Sequence, residues 1–131
     1  MHILAGHDGT PSGFAAMEIT MPPRFAGPIP HVHDTFDEAI YVLSGRVLVF
    51  GDEQPEPHEA VAGSMFVAPR GQRHGFSNPY HEGALVLGVW APSGPAIAFM
   101  EDVGAALRPD APPDPEIMRE IYERHGGRLL P

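Results

Sequence analysis

What most constrains the fold of this chain is its punctuation. Its 15 glycines and 16 prolines are spread between short apolar runs rather than gathered in one tract. Proline removes a backbone donor and glycine favours turns, so this spacing suits short strands joined by turns better than long helices. Hydrophobic residues are 43% of the chain, enough to build a core and to set aside the disorder that so much Gly and Pro can bring. At 131 residues the chain makes one compact domain of all-β class.

The runs themselves read as strands. From Phe14 to Met21, the residues Met17, Ile19 and Met21 alternate with Glu18 and Thr20, the period of a half-buried strand, until Pro22-Pro23 stops it. Gly27-Pro28-Ile29-Pro30 is a turn-like lead into His31-Val32-His33. Ala39 to Leu43 and Arg46 to Phe50 flank Ser44-Gly45 and read as a hairpin, and Gly51 to Glu59 reads as a loop. Met65 to Ala68 ends at Pro69-Arg70-Gly71, and His74 to Ser77 resumes extended chain. Ala84 to Ala91 is almost wholly apolar up to Pro92.

The tail differs. Pro109 to Pro115 holds four prolines in seven residues and reads as a stiff linker. Asp114 is placed as an N-cap with Pro115 at the first helical position. Ile117, Met118, Ile121 and Tyr122 share one face, and Gly126-Gly127 terminate the segment. An amphipathic helix from Pro115 to His125, packed on the β core, is therefore expected, with a shorter one over Ala98 to Leu107.

Charge and termini bound the partners. Asp and Glu number 17 against eight basic residues, all Arg, for a formal charge of −9. Such a balance lacks the basic footprint of a nucleic-acid or anionic-membrane binder. There is no apolar run of about 18 residues for a membrane span. The N-terminus lacks a basic region followed by an apolar stretch, so no secretory leader and a cytoplasmic location are expected. With no cysteine, disulfides, thiolate metal sites and cysteine catalysis are excluded.

Chemistry concentrates in the histidines. Of the eight, His31 and His33 stand at i and i+2, so in a strand both imidazoles point one way and can reach one metal. Asp37 and Glu38 follow, facing opposite sides by the same period, so one of them can join the pair. His74 opens a further strand after the Pro69-x-Gly71 turn. A mixed His/carboxylate set suits Fe, Mn, Co, Ni, Cu or Zn rather than Ca or Mg. Three His with one carboxylate would leave the open positions that catalysis needs. His2, His7, His58, His81 and His125 read as solvated loop or terminal residues.

The spacing of the whole set carries a resemblance. His31-x-His33 is followed after four residues by Glu38 and after six more by Gly45. Later come Gly63, Pro69-x-Gly71, His74 and Asn78. These resemble the two motifs of the cupin superfamily, over about Met17 to Pro92. Three residues rather than the usual five separate Gly27 from His31. The resemblance implies a small antiparallel β-barrel or jelly roll with a divalent transition metal inside, held by His31, His33, Glu38 and His74. It favours Glu38 over Asp37. Residues 1–108 would form the barrel with its N-terminal strand, and 109–131 the linker and helix packed on it. Asn78 is read as a turn stabiliser, and Arg70 as a surface residue or carboxylate partner. Counting by twos from the ligands makes Ile40, Val42 and Phe76 candidate substrate contacts.

The segment through Val67-Ala68-Pro69-Arg70-Gly71 and Phe99-Met100-Glu101-Asp102 is similar to single-domain bacterial cupins related to quercetin 2,3-dioxygenase. That implies a metal-dependent dioxygenase for a small aromatic or enolic hydroxy-ketone, with Glu38 as ligand and base. A metal-dependent isomerase, cyclase or lyase that does not use O₂, or a non-catalytic small-molecule-binding cupin, are the alternatives, since fold alone does not fix chemistry. A homodimer is expected, with the Phe14 to Met21 strand at its interface.

Overall fold

A computed structural model describes residues 2–5, 13–108 and 110–130. Among these residues ten strands form two five-stranded antiparallel sheets that face each other. The strands are β1 (His2–Ala5), β2 (Ala15–Met21), β3 (His31–His33), β4 (Asp37–Ser44), β5 (Arg46–Gly51), β6 (His58–Val61), β7 (Met65–Ala68), β8 (His74–Ser77), β9 (Ala84–Ala91) and β10 (Gly127–Leu129). One sheet runs β1-β2-β9-β4-β7, the other β10-β3-β8-β5-β6. Helices α1 (Ser93–Ala106) and α2 (Pro115–Arg124) follow the strands. This is the all-β jelly roll with a C-terminal helix that the punctuation and motifs predict. No helix among the described residues is long and apolar enough to cross a membrane.

Alternation builds the interior. On β4, Glu38, Ile40 and Val42 are buried, and on β9, Ala84, Val86, Gly88 and Trp90 are buried, each set facing the opposite sheet. The core divides into two clusters. One is aliphatic, with Ile40, Val42, Val47, Val49 and Val86. The other is aromatic-rich, with Phe36, Trp90, Phe99, Ile121 and Tyr122, so both helices pack into it. α2 starts as its sequence dictates: the Asp114 carboxylate accepts from the Glu116 N–H at 2.9 Å, Pro115 follows the cap, and Ile121 and Tyr122 turn inward.

Four local expectations need correction. Residues 39–43 and 46–50 do not form a hairpin. β4 pairs with β7 and β9, whereas β5 pairs with β6 and β8. Gly45 alone separates the two strands, too few residues for a two-residue hairpin turn, and its φ of +77° makes it the corner where the chain leaves one sheet for the other. A Cβ there would meet the Gly83 carbonyl oxygen at 2.7 Å. The hairpin partner of β5 is β6, whose His58-Glu59 the sequence reads as the end of the loop and whose Ala60-Val61 it leaves unassigned. Strands β1 and β10 were not anticipated either. Finally, α1 begins at Ser93, five residues before the expected start.

Candidate metal centre

The two sheets bring the polar groups to one point from opposite sides. His31 and His33 project the same way from β3, as i and i+2 require. His31 and His74 are register partners across β3 and β8, so the third imidazole shares that face. Glu38 comes from the other sheet, opposite Trp90 on β9. All four side chains are buried, and one ligand atom from each lies within 4.8 Å of the others. The imidazole centroids are 4.3–5.3 Å apart.

Hydrogen bonds orient the rings. His31 Nδ1 donates to the Ile29 carbonyl at 2.8 Å, and His74 Nδ1 donates to the Gln72 carbonyl at 3.1 Å. A carbonyl can only accept, so Nδ1 carries a proton in both rings, and in the neutral ring the Nε2 lone pair is free. Trp90 Nε1 donates to Glu38 Oε1 at 2.8 Å, which fixes the carboxylate. The other oxygen, Oε2, lies 2.7 Å from His74 Nε2, yet neither atom has a hydrogen-bond partner of proper geometry. Two buried polar atoms are not left so without cause, because each unsatisfied group carries a desolvation penalty of about 1–3 kcal/mol. A cation between them would satisfy both. The donor set fits: three imidazoles and one carboxylate suit a divalent transition metal.

Electrostatics at His31, His33 and Glu38 agree with that chemistry. Burial pushes His31 down to about 4, with His74 beside it adding to the effect. Burial likewise pushes His33 down to about 3. Both rings are therefore neutral at pH 7, the form that binds metal. Burial would raise Glu38, but His74 and the other two imidazoles outweigh it and hold the carboxyl down at about 2. Burial would lower His74, but the adjacent Glu38 carboxylate holds it above its ordinary value.

An aromatic wall encloses the imidazoles. Phe36 stacks on His33 at 4.4 Å, and Phe99 of α1 meets His33 edge-on at 4.9 Å. Tyr122 of α2 lies 5.0 Å from His31 and 5.7 Å from His33. Burial, and then the Glu38 charge, raise its phenol well above the usual tyrosine range, so it stays protonated. The tail also reaches the ligands through the backbone. Gly127, Arg128 and Leu129 of β10 pair with His33, Val32 and His31.

The structure gathers His31, His33, Glu38 and His74 and leaves Asp37 and Asn78 out of the cluster. Asp37 faces outward and is clamped by Arg70, whose Nε and Nη2 donate at 3.1 and 3.0 Å. Asn78 is buried and structural: Nδ2 donates to the carbonyls of Met21, Pro22 and Glu82, and Oδ1 accepts from the Tyr80 N–H. Ile40 and Val42 sit in the aliphatic cluster, with Phe76 packed against it, while the rings against the imidazoles are Phe36, Phe99 and Tyr122. His2, His58, His81 and His125 lie outside the cluster, and His7 lies outside the described residues. Sequence reasoning missed Phe99 and Tyr122 as site residues. The signal for Tyr122 was its place on the apolar face of α2, but periodicity does not say which part of the core that face covers.

Comparison with known proteins follows the same outline. Residues 17–90 match the family model for the cupin domain. No curated protein matches the chain. Among solved structures, KdgF from Halomonas sp. is similar with a TM-score of 0.58 and 29% identity, covering 69% of this chain and 74% of that one. The protein TT1209 from Thermus thermophilus is similar with a TM-score of 0.56 and 27% identity, covering 70% of this chain and 84% of that one. A sugar phosphate isomerase of the cupin superfamily from Silicibacter pomeroyi is similar with a TM-score of 0.53 and 25% identity, covering 61% of this chain and 51% of that one.

Proposed function

This chain belongs to the cupin domain family, and from that premise we propose that it is a metal-dependent enzyme acting on a small enolic or aromatic hydroxy-ketone, with dioxygenase chemistry as the leading reaction. The observation that carries the reading is the facing pair of buried, unsatisfied atoms, Glu38 Oε2 and His74 Nε2. His31, His33, Glu38 and His74 would hold one divalent ion of Fe, Mn, Co, Ni, Cu or Zn. A bound ion supplies Lewis acidity and, where it is redox-active, access to O₂ chemistry.

The remaining work falls to this chain's own groups. Trp90 keeps Glu38 Oε1 engaged, so only Oε2 is free to ligate or to take a proton. A carboxyl held at about 2 would take a proton only from an enol made far more acidic by a bound ion, and hands it on readily. Phe36, Phe99 and Tyr122 exclude water, which strengthens every charge interaction inside. The proposal includes a cytoplasmic homodimer with a small-molecule substrate and with no nucleic-acid or membrane partner.

A second reading is an isomerase or lyase that does not use O₂. Its support is the likeness to a protein named as a sugar phosphate isomerase. Elemental analysis of protein purified without chelator or nickel resin, followed by oxygen-electrode assays with diketones and hydroxy-ketones, separates these readings. Metal uptake with O₂ consumption supports the dioxygenase. Metal uptake with turnover but no O₂ consumption supports the isomerase. Protein that takes up no transition metal ends both.

A further inference from the structure

Against the outer side of Tyr122 lies a cavity of about 150 Å³. Its walls are Pro28 and Ile29 ahead of β3, Pro113, Pro115 and Met118 around the start of α2, and Leu129 of β10. It is one side-chain layer from the metal ligands. The Ile29 carbonyl holds His31 Nδ1, Leu129 is the register partner of His31, and the Tyr122 ring lies 5.0 Å from the His31 ring. His31, His33, Glu38 and His74 are each 5% exposed or less, so a ligand reaches them only past a residue that moves. Tyr122 has His31, His33 and Phe99 against its ring and also lines this cavity.

We infer that this cavity is the outer binding subsite of the metal centre, that it takes the apolar ring of a monocyclic ligand whose polar end meets the histidines, and that Tyr122 sets this specificity. The inference rests on the proposed function and names its substrate class. Size supports it: a cavity of about 150 Å³ lined by apolar side chains takes a benzene-sized molecule. Chemistry supports it as well. No Arg or His lines the cavity among the described residues, so nothing there neutralises a phosphate, and the Tyr122 hydroxyl is the one side-chain polar group of the lining. The covering residues Phe99, Met118, Tyr122 and Leu129 all lie beyond the family-matched segment 17–90. The polar centre therefore comes from the family segment, and the selectivity from this chain's own tail.

The test reads cavity and metal separately. Phenol is titrated into metal-free protein and followed by ligand-observed NMR, and zinc uptake is measured by calorimetry. Wild type and Ile117→Ala, an exposed position on the same helix, should bind phenol alike. Met118→Phe, which fills the cavity, should weaken phenol at least ten-fold, and Met118→Ala should admit 1-naphthol. Equal phenol binding by wild type and Met118→Phe, or no binding by either, overturns the subsite. In zinc-loaded protein, tropolone should quench the lone tryptophan, Trp90, and glucose 6-phosphate should not displace it. Displacement by glucose 6-phosphate overturns the substrate class. Zinc uptake without a Met118-sensitive phenol site sinks this inference alone, whereas phenol binding without zinc uptake sinks the proposed function and the link to it.

Discussion

Asp37 and Glu38 are neighbours in sequence and opposites in the structure, and the difference is one step of strand period. Asp37 turns to solvent, where Arg70 holds its carboxyl below the usual range. Glu38 turns inward, between Trp90 and His74. Exchanging each for its amide is therefore informative. Glu38→Gln keeps an oxygen for Trp90 and loses the charge, so turnover should fall about 10²–10⁴-fold, the size of a general-base contribution. Asp37→Asn should leave turnover within about three-fold, because exposed ion pairs contribute roughly 0–1 kcal/mol. Steady-state kinetics on the pair decides, and a Glu38→Gln protein with wild-type turnover removes the proposed role. His33→Ala and His74→Ala should each lose most bound metal while the circular dichroism of the barrel persists. Elemental analysis that finds full metal in both variants would refute the ligand assignment. Asn78→Ala is a stability test rather than a site test. It strips the Met21, Pro22 and Glu82 carbonyls of their donor; only Met21 is buried, so the cost in urea denaturation should be about 1–3 kcal/mol, that of one orphaned buried group.

At the scale of elements, what the sequence reveals depends on whether an element's signal is local. β2, β4 and β9 announce themselves through alternation or a continuous apolar run, and α2 through its cap and face. Of the ligand set, period 2 pairs His31 with His33, and the resemblance of the motif spacing to the cupin superfamily is what adds Glu38 and His74. β6 was not legible: in His58-Glu59-Ala60-Val61 only Ala60 is buried, and its strand state comes from pairing with β5. β10 was hidden for the same reason. Gly127-Arg128-Leu129 carries no strand pattern of its own and is ordered by β3, over 90 residues earlier, with Arg128 also paired to Asp34. The hairpin failed because pairing partners are a tertiary matter that Ser44-Gly45 alone does not encode. β10 also offers the sharpest element-level test. A Cβ on Gly127 would lie 2.5 Å from the Val32 carbonyl oxygen, which is backbone between the two ligands of β3. Gly127→Ala must push β10 away or move β3. It should lower stability by about 1–3 kcal/mol, in line with forced overpacking, and weaken metal binding at least five-fold. Calorimetry that finds wild-type metal affinity in this variant would mean that β10 does not position His31 and His33.

For the molecule as a whole, two surfaces of the fold matter: the outer face of one sheet and the buried titrating centre. The first sheet is apolar on both faces at β9, where Val86 and Trp90 point inward and Leu85, Leu87 and Val89 point outward. Met65 and Val67 of β7 add 60% and 56% exposed side chains to that outer face. An outward apolar face of this kind suits an interface. We expect the cover to be a second copy, across β9, β4 and β7 rather than across β2, whose outward Glu18 and Thr20 are polar. Leu87→Lys with Val67→Lys should convert a dimer to monomer in sedimentation, and an unchanged species would reject that face. The buried centre governs the response of the metal-free protein to acid. His31 and His33 are lowered in the fold to about 4 and 3, so between pH 6.5 and about 4 the unfolded chain binds two protons that the fold refuses. His74 is raised and acts in the opposite sense, stabilising the fold below pH 6.5. That contribution is complete below the unfolded value, so within the window the two lowered histidines decide and stability falls as pH drops. Glu38, lowered to about 2, adds to the loss below about 4.5, where its carboxyl would be protonated in the unfolded chain but not in the fold. Chelator-treated protein should therefore melt at progressively lower temperature from pH 6.5 to 4.5 and more steeply below. His33→Phe, which removes one of the two refused protons and keeps an aromatic ring in the wall, should flatten the upper part of that curve. A melting temperature that is flat from pH 6.5 to 4.5 in the metal-free wild type would mean that the histidines are not buried in the neutral form, and the electrostatic account of the site would fall with it.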